Sequence, residues 1–382
     1  MTKELSQRIK PLDGLRGMAV VAVIAFHYLN NQLEGSAWAG EQFGTFARLL
    51  EKGTYFGWAG VNLFFILSGF LIGNILLSNR GSGNFYKTFY IRRFCRIIPA
   101  YYLLLVIYLL VSHSNWYTPD AYIFGFPLPV PSYFLFVQNF YMASQNTFGP
   151  QALTPTWSLC VEEQFYLVVP MLVAFVKPKY LWIAVVLGCL VALYSRYLSV
   201  NFYQGYVLLP SRLDSPMIGF LLAMLHQKEG FRTWMSGHLS TIYGLLVAMV
   251  IFCGAAYAFS DPGIFSHFLL AIIFALVVAI GLYSKDGLFV RFFSAPLLVY
   301  IGKLSYFVYL FHQLINGLLH LVVLKQLKPM ILGYSSIWMT LLALVITFVL
   351  AEISFRYFES PIIRFSHRFR YAKPVEAVTP AL

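Results

Sequence analysis

Apolar residues run along this chain in long uninterrupted blocks that carry almost no charge. Neither the alternation of a half-buried strand nor the single stripe of an amphipathic surface helix produces that pattern. Ten blocks are long enough to cross a bilayer, near residues 17–34, 57–77, 97–112, 157–176, 180–198, 207–226, 238–259, 265–283, 299–323 and 333–357. The expected fold is all-α, a polytopic membrane helix bundle of about ten transmembrane helices, with both termini on one side because the number is even. A shorter aromatic run from Ser132 to Met142 is too brief to span. It lies in a proline-rich stretch without a basic residue between Arg96 and Lys177, so it reads as part of a long external loop that rests at the interface or dips back into the protein.

Composition agrees with this solvent. With 59% hydrophobic and 11% charged residues and a mean hydropathy of +0.70, a soluble core cannot hide the apolar surface. The net charge of +12 suggests nucleic acid until its distribution is read. Twenty Lys and Arg residues fall in the segments on the terminal side of the membrane, and four, Arg48, Lys52, Lys325 and Lys328, on the other. That asymmetry makes the termini cytoplasmic. Cys95, Cys160, Cys189 and Cys253 form no CxxC pattern and read as free thiols. The first apolar run lacks a small-residue cleavage site, so it is expected to remain as the first helix.

Against that background, a few polar residues stand out. Arg16 and His27 bound one apolar stretch, eleven residues apart, so they share a helix face about 16 Å apart along the axis. Ionisable groups at membrane depth are expensive and mark function. His27 falls near the midplane or slightly beyond it, with Arg16 at the wet cytoplasmic end. Asn62 and Ser68 sit in the second span, Trp157, Glu162 and Glu163 in the fourth, Arg212 and Asp214 in the sixth, and His312 in the ninth. Five spans aiming polar groups at similar depth imply one internal cavity. The plainer alternatives are helix packing for Asn62, Ser68 and Gly69, a structural counter-ion for Arg212 or Asp214, an interfacial charge for one of the two glutamates, and a structural histidine hydrogen-bonded between helices for His27 or His312.

The segment from Asn79 to Ile98 reads as a cytoplasmic loop. Arg93 and Arg96 are one helical turn apart there, so two guanidinium groups can converge on an anion, although such segments commonly only fix topology.

The series Leu12-Asp13-Gly14-Leu15-Arg16-Gly17 with His27, Gly60 to Ile72 with Asn62 and Ser68-Gly69-Phe70, Arg93-x-x-Arg96, Thr156-Trp157-Ser158 to Tyr166, and Leu304-Ser305-Tyr306 to His312 resembles the acyltransferase-3 family of membrane-bound O-acyltransferases. The resemblance implies a ten-span core, here one acyltransferase domain over 1–370 followed by a disordered cytoplasmic tail over 371–382. It implies transfer of an acyl group, usually acetyl, from cytoplasmic acyl-CoA as co-substrate to a hydroxyl, often on a glycan or glycolipid. It implies that Arg16 and His27 are the catalytic motif and that Arg93 and Arg96 contact coenzyme A phosphates. Many members carry an extracytoplasmic hydrolase-like domain; a stand-alone form without it is expected here, so the acceptor is expected to meet the membrane core itself.

The chemistry suits the residues. A sugar hydroxyl is a poor nucleophile at neutral pH, and histidine supplies a base near the operating pH. His27 is the expected general base, Glu163 the carboxylate that orients it, and Arg16 the holder of pantetheine or phosphate. Asp13, Asn62, Ser68, Trp157, Glu162, Arg212, Asp214 and His312 are expected around the substrate cavity. A transient acyl-His27 remains an open alternative. No metal is expected, nor nucleic acid. The expected location is the bacterial inner (plasma) membrane, multi-pass, with oligomeric state open. Two rivals remain. One is acylation of a small metabolite such as a macrolide, and the other a proton-coupled transporter or flippase, for which membrane His, Glu, Asp and Arg serve equally.

Overall fold

A computed structural model describes residues 9–33, 44–114, 121–259 and 263–372. All of its named elements are helices. Nine helical stretches among the described residues are long and apolar enough to cross a membrane. The elements that matter below are α1 (Lys10–Ala25, continuing through a π-helical turn at Phe26–Asn30 to Leu33), α2 (Gly60–Ser78), α3 (Phe85–Ser112), α4 (Thr156–Phe175) and α5 (Leu181–Leu198). After them come α6 (Phe202–Val207), α7 (Leu209–Arg212), α8 (Asp214–His226), α9 (Leu239–Phe259), α10 (Ser266–Tyr283), α11 (Pro296–Leu324) and α12 (Tyr334–Ser354). Large apolar side chains such as Leu187, Phe252 and Val345 point outward, as a lipid-facing surface requires.

The sixth expected span is the exception. In place of one helix over 207–226 the chain makes α6, α7 and α8, with extended backbone at Leu208. Pro210 opens α7, and the 13 residues of α8 reach only about 20 Å, short of a ~30 Å hydrocarbon core. The interruption carries Ser211, Arg212, Asp214 and Ser215, all buried. Broken helices occur at membrane depth where freed polar groups find partners inside the protein, as they do here.

Two further boundaries move. α1 starts at Lys10, with Pro11 in its first turn, so Arg16 lies about 9 Å along the helix and His27 about 25 Å. Arg16 is therefore inside the bundle, where it lines a cavity, rather than at the helix end. The expected loop from Asn79 to Ile98 is mostly helix, because α3 begins at Phe85 and runs through Pro99. A proline read as a boundary is tolerated inside this helix, as in membrane helices generally.

α1, α3 and α11 run parallel. Gly17 and Gly302 bring the backbones of α1 and α11 together: a Cβ on Gly302 would lie 1.9 Å from the Asp13 carbonyl oxygen, and one on Gly17 2.2 Å from that of Leu298. Tyr306 on α11 donates to the Ile97 carbonyl of α3 at 2.7 Å. Past the other ends, Tyr108 of α3 packs against Phe124 and the Tyr122 N–H reaches the Leu327 carbonyl just after α11, so all three helices start at one face, here the near face. The last described residues return to it. Asn84 donates to the Arg370 carbonyl at 2.8 Å, Arg92 donates to that of Phe369 at 2.9 Å, and the Arg92 guanidinium lies 5.4 Å from the Tyr371 ring centroid. The first two residues of the expected tail, Tyr371 and Ala372, are therefore anchored, the latter by its N–H to Asn84 at 2.8 Å. Residues 373–382 lie outside the described residues, as do Lys3, Arg8 and Pro119.

The aromatic piece of the long loop forms two short helices, Val130–Phe134 and Gln138–Ser144, that pack into the bundle. Gln138 is fully buried and donates to Thr156 Oγ1 and Tyr101 Oη, each at 3.1 Å. The four cysteines are free.

Candidate active site

Two cavities stand out among the described residues where the sequence suggests one. The larger, about 810 Å³, is walled by His27, Trp157, Tyr206, Gln151, Gln313 and Arg196, among others. The smaller, about 210 Å³, lies toward the near face and is lined by Arg16, Arg93, Arg96, Ser68, Glu162 and Tyr166. Val61 and Tyr309 belong to both walls. Tyr309 Oη and Ser158 Oγ are 2.7 Å apart and join α11 to α4 at this partition.

His27 occupies the π-helical turn of α1, where the Asn31 N–H reaches five residues back to the Phe26 carbonyl. Such a turn adds a residue to the helix and re-aims its side chains, which is why π-turns recur at functional sites. Here it leaves the His27 ring half-buried in the large cavity. Its Nδ1 is 2.8 Å from His312 Nε2. His312 is fully buried behind it, with Nδ1 2.8 Å from the Tyr309 carbonyl oxygen and 3.1 Å from that of Val308. Tyr28 ties the two helices at this level by donating to the His312 carbonyl at 2.7 Å. The meeting follows from the glycine seam. On parallel helices in backbone contact at Gly17 and Gly302, the residues ten positions further on are His27 and His312, both about 15 Å along.

The structure therefore corrects the expected role of Glu163, because the Nδ1 partner of His27 is His312. Glu163 instead lies within electrostatic reach of Glu162 and Arg93. Glu162 faces Arg16, Arg93 and Arg96 and accepts from Tyr166 at 3.4 Å. Tyr166 also pairs with Ser68. The fourth span enters from the far side, yet six residues of helix carry these carboxylates down to the level of the arginines, about 9 Å. The turn from Arg93 to Arg96 does converge on one space, and Arg16 joins it from α1. Asp13, one turn before, presses its carbonyl against Gly302 and contributes charge beside Arg16.

Asn62, Arg212 and Asp214 frame the large cavity from behind its aromatic wall. Arg212 is fully buried, donates to Asn62 Oδ1 at 2.6 Å, and lies 5.1–5.5 Å from the ring centroids of Tyr206, Phe65 and Trp157. A guanidinium boxed by three aromatic faces gains on the order of 2 kcal/mol of cation–π attraction per desolvated contact, and it holds Trp157 and Tyr206 against the cavity. Asp214 pairs with Arg196 at 2.7 Å, both side chains being nearly inaccessible. Removing one partner of such a pair strands a charge, at a cost of about 3–5 kcal/mol. Asp214→Ala is accordingly expected to lower the thermal unfolding temperature in detergent sharply, with Asp214→Asn less affected; equal stability of all three proteins contradicts the scaffold role.

The family described as "Acyltransferase domain" matches residues 9–355, almost the whole chain. The chain belongs to this acyltransferase family. Its relatives include the peptidoglycan O-acetyltransferase OatA of Listeria monocytogenes, 32% identical over 94% of this chain and 57% of the relative. The O-acetyltransferase OatA of Staphylococcus aureus is 27% identical over 95% of this chain and 58% of its own length. The chain thus spans under three-fifths of the length of these curated relatives. No solved structure matches it. Arg196, Tyr309 and the glutamines Gln151 and Gln313 are cavity residues that the sequence analysis does not single out. Arg196 carried a usable signal, being an arginine inside an apolar span. Tyr309 carried none, since tyrosines abound in this chain and only its position between two cavities sets it apart.

Proposed function

We propose that this protein is a multi-pass O-acyltransferase of the bacterial plasma membrane that moves an acyl group, typically acetyl, from cytoplasmic acyl-CoA to a hydroxyl of a carbohydrate acceptor. The observation that carries the reading is the pair of cavities sharing one wall, with a histidine in one and three arginines in the other. The near face is then cytoplasmic, as the basic residues demand. A volume of about 210 Å³ is below the ~300–1,000 Å³ of a whole ligand pocket, so the small cavity receives the acyl-pantetheine arm end-on while the nucleotide stays outside. Arg16, Arg93 and Arg96 draw the polar parts of that arm and its phosphates inward. The relatives' printed names, which include peptidoglycan, support a glycan acceptor. So does the large cavity, where aromatic faces beside amide side chains suit a ring with an apolar face and a hydroxyl rim.

In this reading His27 takes the hydroxyl proton as the acceptor oxygen attacks the thioester carbonyl at the shared wall, then returns it to the departing thiolate. The test is purified protein in vesicles given isotopically labelled acetyl-CoA and an oligosaccharide, with label in the sugar as the expected product. Hydrolysis of acetyl-CoA without labelled sugar contradicts a glycan acceptor. Arg93→Ala with Arg96→Ala is expected to raise the Kd for acetyl-CoA about 100-fold, since charge-assisted hydrogen bonds are worth about 1.5–3 kcal/mol. Unchanged affinity by calorimetry returns these arginines to a topological role.

A further inference from the structure

We propose that His312 is a positioning residue that locks His27 into the single tautomer able to act as a base at Nε2. The proposal rests on the reading of His27 as the base and adds which nitrogen acts and what decides it. His312 Nδ1 has two neighbours within hydrogen-bond distance, the carbonyl oxygens of Tyr309 at 2.8 Å and Val308 at 3.1 Å. Both only accept, so Nδ1 carries a hydrogen. A neutral imidazole has one N–H, which leaves His312 Nε2 as a lone pair. That lone pair lies 2.8 Å from His27 Nδ1, so His27 Nδ1 carries a hydrogen and His27 Nε2 is the open lone pair. The ring centroids are 5.0 Å apart at an inclination of 25°, the separation of two rings meeting edge to edge through their nitrogens.

The division of exposure fits. His312 is fully buried while His27 borders the large cavity, so one ring sets the state of the other and only the second meets substrate. In the transfer step the acceptor O–H proton passes to His27 Nε2, the new C–O bond forms and the C–S bond breaks. The thiolate leaves with that same proton, and His27 Nδ1–H stays on His312 throughout. A base whose second nitrogen is unanchored samples the other tautomer, in which Nε2 carries a hydrogen and cannot accept. Loss of the orienting partner in a serine protease costs about 10⁴-fold for this reason. A neutral acceptor holds less firmly than a carboxylate, so a loss of about 100-fold is expected here.

The test uses vesicle-reconstituted protein with acetyl-CoA and an oligosaccharide. His312→Phe keeps the ring volume and removes the acceptor, and it is expected to lower kcat about 100-fold with the KM for acetyl-CoA unchanged. His312→Gln, which restores a side-chain oxygen acceptor, is expected to recover part of that loss. Solid-state ¹⁵N spectra of histidine-labelled protein, assigned by difference from His27→Ala, are expected to place the His27 hydrogen on Nδ1. A hydrogen on Nε2 overturns the proposal whatever the activity. A kcat for His312→Phe equal to wild type also overturns it, and so does failure of Gln to improve on Phe when both proteins bind acetyl-CoA normally. If the spectra show Nδ1–H but His27→Ala still transfers acetyl groups, the tautomer lock stands and the base assignment fails.

Discussion

His27→Ala is expected to abolish acyl transfer, lowering turnover by at least 10²- to 10⁴-fold, the usual contribution of a positioned general base, without disturbing insertion or donor binding. The separation of these effects follows from the two cavities. His27 borders the large one, whereas Arg16, Arg93 and Arg96 line the small one, so acetyl-CoA affinity by calorimetry should stay within about 2-fold of wild type, the range of a ~0.4 kcal/mol change. Transfer to the oligosaccharide is the second readout. Retained turnover sinks the base assignment, and a parallel collapse of donor affinity shows that the cavities are not independent.

Gly302→Leu is expected to be nearly as damaging from a position that touches neither substrate. A Cβ there would sit 1.9 Å from the Asp13 carbonyl oxygen, and backbone cannot swing aside as the tip of a side chain can. α1 and α11 must part. Overpacking of this kind typically costs 1–3 kcal/mol, and the separation propagates to the His27–His312 contact of 2.8 Å ten residues on. A shift of even ~1 Å at a catalytic constellation is worth about 100-fold in rate. The expected result is a lower unfolding temperature together with a rate loss of that order. Gly254→Leu is the control, since nothing lies within 4 Å of a Cβ on that glycine of α9, and it should leave both measurements unchanged. If the two variants behave alike, the glycine seam does not set the histidine register.

Much of the site was legible residue by residue. A histidine and arginines in apolar helices are costly enough to be noticed singly, and the one-turn spacing of Arg93 and Arg96 foretold that they share a space. Partners were not legible. Arg212 and Asp214 are two apart in sequence, yet one is held by Asn62 and three aromatic rings and the other by Arg196. Glu163 looked like the natural orienting group for His27, because a carboxylate is the commoner partner, but α4 delivers it beside Glu162 and Arg93 instead. Helix boundaries failed where apolar blocks were equated with helices. α1 and α3 both begin in polar sequence before their apolar blocks, and α6 to α8 break a block that reads as continuous.

The sequence by itself determined the solvent, the helical class and the inventory of costly polar side chains, because hydropathy and ion desolvation act on each residue wherever it sits. The tertiary structure alone decided that two cavities share a wall at Tyr309, and that His27 meets His312 rather than Glu163. Those facts depend on how helices far apart in the chain are registered against each other, and that register is set by backbone contact at Gly17 and Gly302, through side chains that are absent.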